Sequence, residues 1–123
     1  MKSHKDLDLW KKSIDLVTSI YRITKEYPKD ETYGLINQIR RSAVSIPSNI
    51  SEGAARKSTK EFVRFLYIAL GSVAELETQL IISGRLAYIS EDELNNQNTA
   101  LIDIRNMNIG LIRHLEDKIA HET

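Results

Sequence analysis

Only five Gly and two Pro punctuate the 123 residues, and they fall at or near places where the hydrophobic pattern changes. Long segments with so few breakers suit helices better than short strands joined by turns. Pro28 opens the stretch Pro28-Lys29-Asp30-Glu31-Thr32, Gly53 precedes Ala54-Ala55-Arg56-Lys57-Ser58, and Ser90 follows Leu86-Ala87-Tyr88-Ile89. These breaks leave four pieces of roughly 20–30 residues, each with helical rather than alternating periodicity. Ser58-Thr59-Lys60-Glu61 and Ser90-Glu91-Asp92-Glu93 are capping boxes, in which the Ser hydroxyl accepts the N3 amide and the Glu reaches back to the cap. Asp30 and Glu31 put negative charge where the second helix should begin, as its N-terminal partial charge favours.

The third helix carries the clearest stripe, Phe62, Leu66, Ala69, Val73, Leu76 and Leu80. The second repeats it through Ile36, Ile39, Ala43, Ile46 and Ile50, and the fourth through Leu94, Leu101, Ile104, Leu111, Leu115 and Ile119. Short connections favour antiparallel neighbours, so the expected fold is all-α, an antiparallel up-down-up-down four-helix bundle forming a single domain over residues 1–123. Pro47 removes one amide and crowds the carbonyl of Ala43, yet Ile50 stays in phase with Ile46, which predicts a kink in the second helix rather than an end.

Helix one has more apolar surface than a bundle core needs. At about 100° per residue, Leu7, Trp10, Ile14, Val17 and Tyr21 form one stripe, and Leu9, Leu16, Ile20, Ile23 and Tyr27 a second centred about 120° away. One stripe faces the bundle and the other needs cover, either deeper burial inside the monomer or a second copy. The preferred reading is self-association, with Leu9, Leu16, Ile20, Ile23 and Tyr27 as the oligomer interface.

Charge and composition narrow the function classes. With 17 Lys+Arg against 17 Asp+Glu, a uniformly basic nucleic-acid coat is excluded, and the absence of Cys removes disulfides, thiol catalysis and Cys-based zinc sites. The N-terminal MKSHKDLDLWKK lacks the apolar core of a signal peptide, and no apolar run approaches the ~20 residues of a membrane span. A cytoplasmic location and no membrane partner are expected. The charges nevertheless segregate. Arg40, Arg41, Arg56, Lys57, Lys60 and Arg64 against Glu52 and Glu61 give Arg40–Arg64 a net +4, whereas Glu91–Thr123 carries net −4. Such a grouping can neutralise phosphates. The competing reading has these residues on solvated faces, with Arg40 or Arg41 paired to Glu52, Glu75 or Glu77.

Catalysis and cofactors find little support. His114 and His121 could share a helical face with Asp117, but a metal would need ligands from another helix. There is no Glu-x-x-His pair or Gly-rich phosphate loop, and Glu75 and Glu77 point about 160° apart. No enzyme activity, metal or cofactor is expected.

The run Tyr33-Gly34-Leu35, then Gln38-Ile39-Arg40-Arg41-Ser42-Ala43-Val44-Ser45-Ile46-Pro47-Ser48-Asn49-Ile50-Ser51-Glu52-Gly53, resembles the signature YGL..QIRRAA.SIP.NIAEG of a bacterial family. That family is the four-helix-bundle proteins encoded by intervening sequences in 23S ribosomal RNA genes. Arg56, Ser58, Glu61-Phe62, Phe65-Leu66, Ile68-Ala69, Gly71-Ser72 and Glu75-Leu76-Glu77-Thr78 continue the match, and Leu9-Trp10, Tyr21 and Tyr27-Pro28 extend it upstream, to cover roughly Leu7–Ile89. The resemblance implies a homopentameric ring, related to accessory proteins of diversity-generating retroelements that bind nucleic acid and a reverse transcriptase. Its matching basic positions are Arg40, Arg41 and Arg56; Lys57, Lys60 and Arg64 lie outside the fixed pattern. Two function classes follow: weak RNA or DNA binding through the basic patch, or a protein-interaction scaffold such as a reverse-transcriptase accessory subunit. Ser45, Asn49, Glu52 and Gly53 have a structural reading, as partners for groups freed near Pro47, and Gly34 and Gly71 one as sites of close helix approach.

Overall fold

The computed structural model describes residues 3–122 and, among them, contains helices and no strands. The long helices are α1 (Asp8–Thr24), α2 (Leu35–Ala54), α3 (Thr59–Arg85) and α4 (Glu91–Glu122), with single 3-10 turns at His4–Asp6 and Lys29–Glu31. Half of each expected capping box forms. Ser58 Oγ and Ser90 Oγ accept the amides of Glu61 and Glu93, each at 3.1 Å. The two carboxylates turn instead to Arg64 Nε at 2.7 Å and Arg22 Nη1 at 3.0 Å, because a guanidinium brings a full positive charge to the bond and a backbone amide does not. Asp30 and Glu31, expected to open the second helix, lie instead in the preceding 3-10 turn; α2 starts at Leu35, and its capping residue Gly34 has no side chain to lend. Glu31 supplies the carboxylate from the preceding turn. It accepts the Leu35 amide at 3.4 Å and the Tyr88 phenol at 3.0 Å, and so ties the α3–α4 connection to the head of α2.

Cross-helix partners show how the helices run. Trp10 meets Ser51 while Arg40 meets Thr24; Ser45 meets Ser72 while Ser42 meets Glu75; Tyr67 meets Glu116 while Gly84 lies against Leu94; Gln97 meets Ser19 while Lys12 meets Asp103. Within each helix pair one number falls as the other rises, so sequence neighbours lie in opposite senses and α4 returns beside α1. The core between them is one cluster fed by all four helices.

The stripes expected for α2 and α3 are buried there, with Phe62 at the margin. In α4 the inward face is partly polar: Gln97, Asn108 and Ile112 are buried beside Leu101, Ile104 and Leu115, while Leu94, Leu111 and Ile119 are half-buried. Gln97 Nε2 donates to Ser19 Oγ at 2.8 Å and Asn108 Nδ2 to the Leu66 carbonyl at 3.1 Å, bonds that make burial of these amides tolerable.

Helix one corrects the interface expectation. Leu9, Leu16, Ile20, Ile23 and Tyr27 are at most 6% exposed inside a single chain, so they are core residues and cannot meet a second copy. The outward stripe is the other one, with Ile14 and Tyr21 exposed and Trp10 and Val17 half-buried. Periodicity separates two stripes but does not say which faces inward. Ser13 and Thr24 lie with the inward stripe and are fully buried, their hydroxyls returned to the carbonyls of Leu9 and Ile20 at 2.7 Å.

Pro47 lies inside α2, which continues past it. The nearby polar residues serve this helix: Asn49 Nδ2 donates to the Ser45 carbonyl at 2.8 Å, and Ser51 Oγ to that of Pro47 at 2.9 Å. By length and composition alone α3 is long and apolar enough to cross a membrane, as buried core helices also are; it contributes Val63, Leu66, Ala69, Val73, Leu76 and Leu80 to the core.

Candidate nucleic-acid interface

The six basic residues singled out in the sequence divide into two groups. Arg40 and Arg41 lie in the first half of α2, and Arg56, Lys57, Lys60 and Arg64 surround the turn into α3. Fifteen residues of near-helical rise put Arg41 and Arg56 roughly 22 Å apart along the axis. They do not form one patch.

Arg40 is committed to the fold. Its Nε donates to Thr24 Oγ1 at 2.9 Å, its Nη2 to the Tyr21 carbonyl at 3.4 Å, and the guanidinium stacks 4.4 Å from the centre of the Tyr21 ring. These carbonyl and hydroxyl partners belong to the last turn of α1, where a cation is favoured by the helix dipole. None of the acids proposed as its partner, Glu52, Glu75 or Glu77, bonds to it; Glu75 accepts the Ser42 hydroxyl at 2.6 Å, and Glu52 holds Arg56. Arg41, one residue on, is exposed, forms no ion pair among the described residues, and lines a shallow groove with Asn37, Gln38, Glu75 and Gln79.

The corner between α2 and α3 is built on Phe65. Gly53 permits it: a Cβ there would stand 2.7 Å from Phe65 Cβ and 3.0 Å from Phe62 Cδ1. The Phe65 ring, 8% exposed, carries Arg56 at 4.9 Å and Arg64 at 4.5 Å from its centre. Each arginine also has a carboxylate, Glu52 for Arg56 at 2.8 Å and Glu61 for Arg64 at 2.7 Å. The Arg64 bond draws the Glu61 carboxyl below its ordinary value, and Glu61 in turn raises Arg64. Both pairs are exposed, where water screens them. Lys57 and Lys60 are exposed and form no ion pair among the described residues. The corner therefore presents two free ammonium groups beside two guanidiniums whose planes are set by an aromatic ring, at the N-terminus of a 27-residue helix. Cations so arranged can contact phosphate oxygens. Sequence reasoning missed Phe65 as their platform, although an aromatic directly after Arg64 was visible.

Among the described residues there is no group of three or more His, Cys, Asp and Glu placed to hold a metal. His121 Nδ1 lies 2.8 Å from the Asp117 carbonyl oxygen on an exposed turn of α4.

A family model of the 23S rRNA-intervening sequence proteins matches residues 5–110. Among solved structures, the chain is similar to a crystal structure of a protein with unknown function from the S23 ribosomal protein family of Bacteroides thetaiotaomicron. The TM-score is 0.80 at 27% identity, covering 85% of this chain and 95% of that one. No curated protein matches it.

Proposed function

The chain belongs to the 23S rRNA-intervening sequence protein family, and from that premise we propose that it is a non-catalytic, cytoplasmic helical module. It works as a homo-oligomer and binds RNA or DNA weakly through the α2–α3 corner. The observation that carries this reading is the corner itself: Lys57 and Lys60 free in solvent, with Arg56 and Arg64 stacked on Phe65. Contacts of this kind recognise phosphate rather than base sequence. A homopentamer, the assembly the family resemblance implies, would repeat the corner around a ring, multiplying a weak contact into useful avidity.

A second reading, a protein-interaction scaffold such as a reverse-transcriptase accessory subunit, is favoured by the internal engagement of Arg40, Arg56 and Arg64. One experiment separates the two. Fluorescence anisotropy with a labelled structured RNA and a duplex DNA, at about 50 and about 200 mM salt, reads phosphate contacts as a salt-dependent affinity. Micromolar binding that weakens with salt and is lost in Lys57→Glu with Lys60→Glu supports the corner. No binding at low salt leaves the scaffold reading.

A further inference from the structure

Phosphate binding at the corner leaves the outer side of α3 unused. The most apolar 18-residue stretch of this helix is only 39% buried, and Tyr67, Ile68, Ile81 and Ile82 are exposed on it. At about 100° per residue, Tyr67, Gly71, Ala74, Thr78 and Ile81 share one stripe. Glu75 and Glu77 stand at its two edges. The stripe is uncharged in its middle and basic at its ends, with Lys60 and Arg64 before it and Arg85 after it.

The outward stripe of α4 has the opposite sign. Thr99, Asn106 and Gly110 form its middle together with exposed Asp103, which Lys12 of α1 meets at 3.7 Å; Asp92 and Asp117 form the ends, and Arg113 lies beside Asp117. Asp92 and Asp117 are 25 residues apart, the same separation as Lys60 and Arg85. The glycines on the two stripes add a second observation. Gly53 and Gly84 are explained by packing, since a Cβ at either would come within 3 Å of a neighbour, whereas Gly71 and Gly110 have nothing within 4 Å. The close helix approach expected at Gly71 therefore does not occur within the chain. A glycine in an exposed helix interior costs about 1 kcal/mol relative to alanine, and this fold returns nothing for either.

We propose that the outer face of α3 docks on the outer face of α4 of a second copy of this chain. This rests on the homo-oligomer reading above and names the two faces that carry it. Pairing α3 with its own copy would set cation against cation, whereas α3 on α4 sets basic ends against acidic ends and an uncharged stripe against one whose middle carboxylate, Asp103, is already held by Lys12. Two different faces then meet in a head-to-tail contact, which closes into a ring when the rotation permits.

The test is mass by size-exclusion chromatography with light scattering over a concentration series up to about 100 μM, since assembly follows mass action. Lys60 is left intact because it also belongs to the phosphate-binding corner. Ala74→Glu and Arg85→Glu are expected to raise the assembly midpoint at least tenfold with helicity unchanged by circular dichroism. Adding either Asp92→Lys or Asp117→Lys to Arg85→Glu is expected to restore it, and the one that does so reports the relative direction of the two helices. Wild-type assembly in Ala74→Glu, or no restoration by either double variant, overturns the assignment of faces while the oligomer stands. A monomeric wild type overturns the homo-oligomer reading with it, and binding of that monomer to phosphatidylcholine vesicles would give α3 a membrane instead; the phosphate-binding corner is judged separately, by anisotropy.

Discussion

Near the start of α2 Arg40 is drawn inward, its guanidinium shared between a hydroxyl, a carbonyl and the face of Tyr21. At the other end Arg56 lies on Phe65 and keeps its charge in water beside Glu52. Both are cations over aromatic rings, but their partners differ. The Tyr21 carbonyl lies in the last turn of α1, where carbonyls lack intrahelical amide donors, so the Arg40 bonds fasten α1 to α2. An exposed carboxylate is readily resolvated, so Arg56 can exchange Glu52 for another anion. The net +4 of the segment therefore overstates what is available to a ligand, and the available part is concentrated at the corner with Arg41 standing apart.

The largest expected effect falls in the core beneath both regions. Ile20 is fully buried, and Ile20→Lys should cost about 4 kcal/mol or more by burying an unpaired charge; denaturant unfolding would show it, and a folded variant of lower mass would return this stripe to an interface. Gly53→Val comes next. It would displace Phe65 and cost about 1–3 kcal/mol by overpacking, so RNA affinity should fall while hydrogen exchange around Arg40 stays as in the wild type. Arg40→Ala should cost about 1–2 kcal/mol through its lost bonds and stacking with RNA affinity unchanged; a fall in affinity would erase the distinction between the two regions. Lys57→Glu with Lys60→Glu should do the reverse, leaving the melting temperature as it was and weakening RNA binding about tenfold with a shallower salt dependence.

The smallest effect is that of pH. The Arg64 and Arg22 bonds hold the Glu61 and Glu93 carboxyls below the ordinary 4.5. Groups depressed on folding contribute stability that is complete above the ordinary value and is lost as pH falls through the lowered one. Acid unfolding should therefore begin below pH 4.5 for these pairs, and the effect should shrink in high salt because both are exposed. An Arg64→Gln variant that kept the full acid dependence would remove Glu61 from the account.

The four helices, their breaks and the stripes of α2 and α3 were legible because apolar spacing and capping are local properties of the chain. Gln97 and Asn108 were not legible as core residues, since an amide is buried only when a partner such as Ser19 or the Leu66 carbonyl stands opposite. The candidate site was legible as charge but not as geometry. Arg40 and Arg41 are indistinguishable as neighbours in sequence, yet about 100° of helical rotation turns one toward α1 and the other to solvent.

By itself, then, the sequence determined the helical content, the breaks between helices though not the start of α2, the sign of each segment's charge and the family resemblance borne by Tyr33–Gly53 and the residues beyond it. Tertiary structure alone decided which stripe of α1 turned inward, which arginines were taken into the fold, and which glycines were needed by their neighbours. Each of those outcomes depends on what approaches a side chain from another helix, and periodicity within one helix carries no record of that.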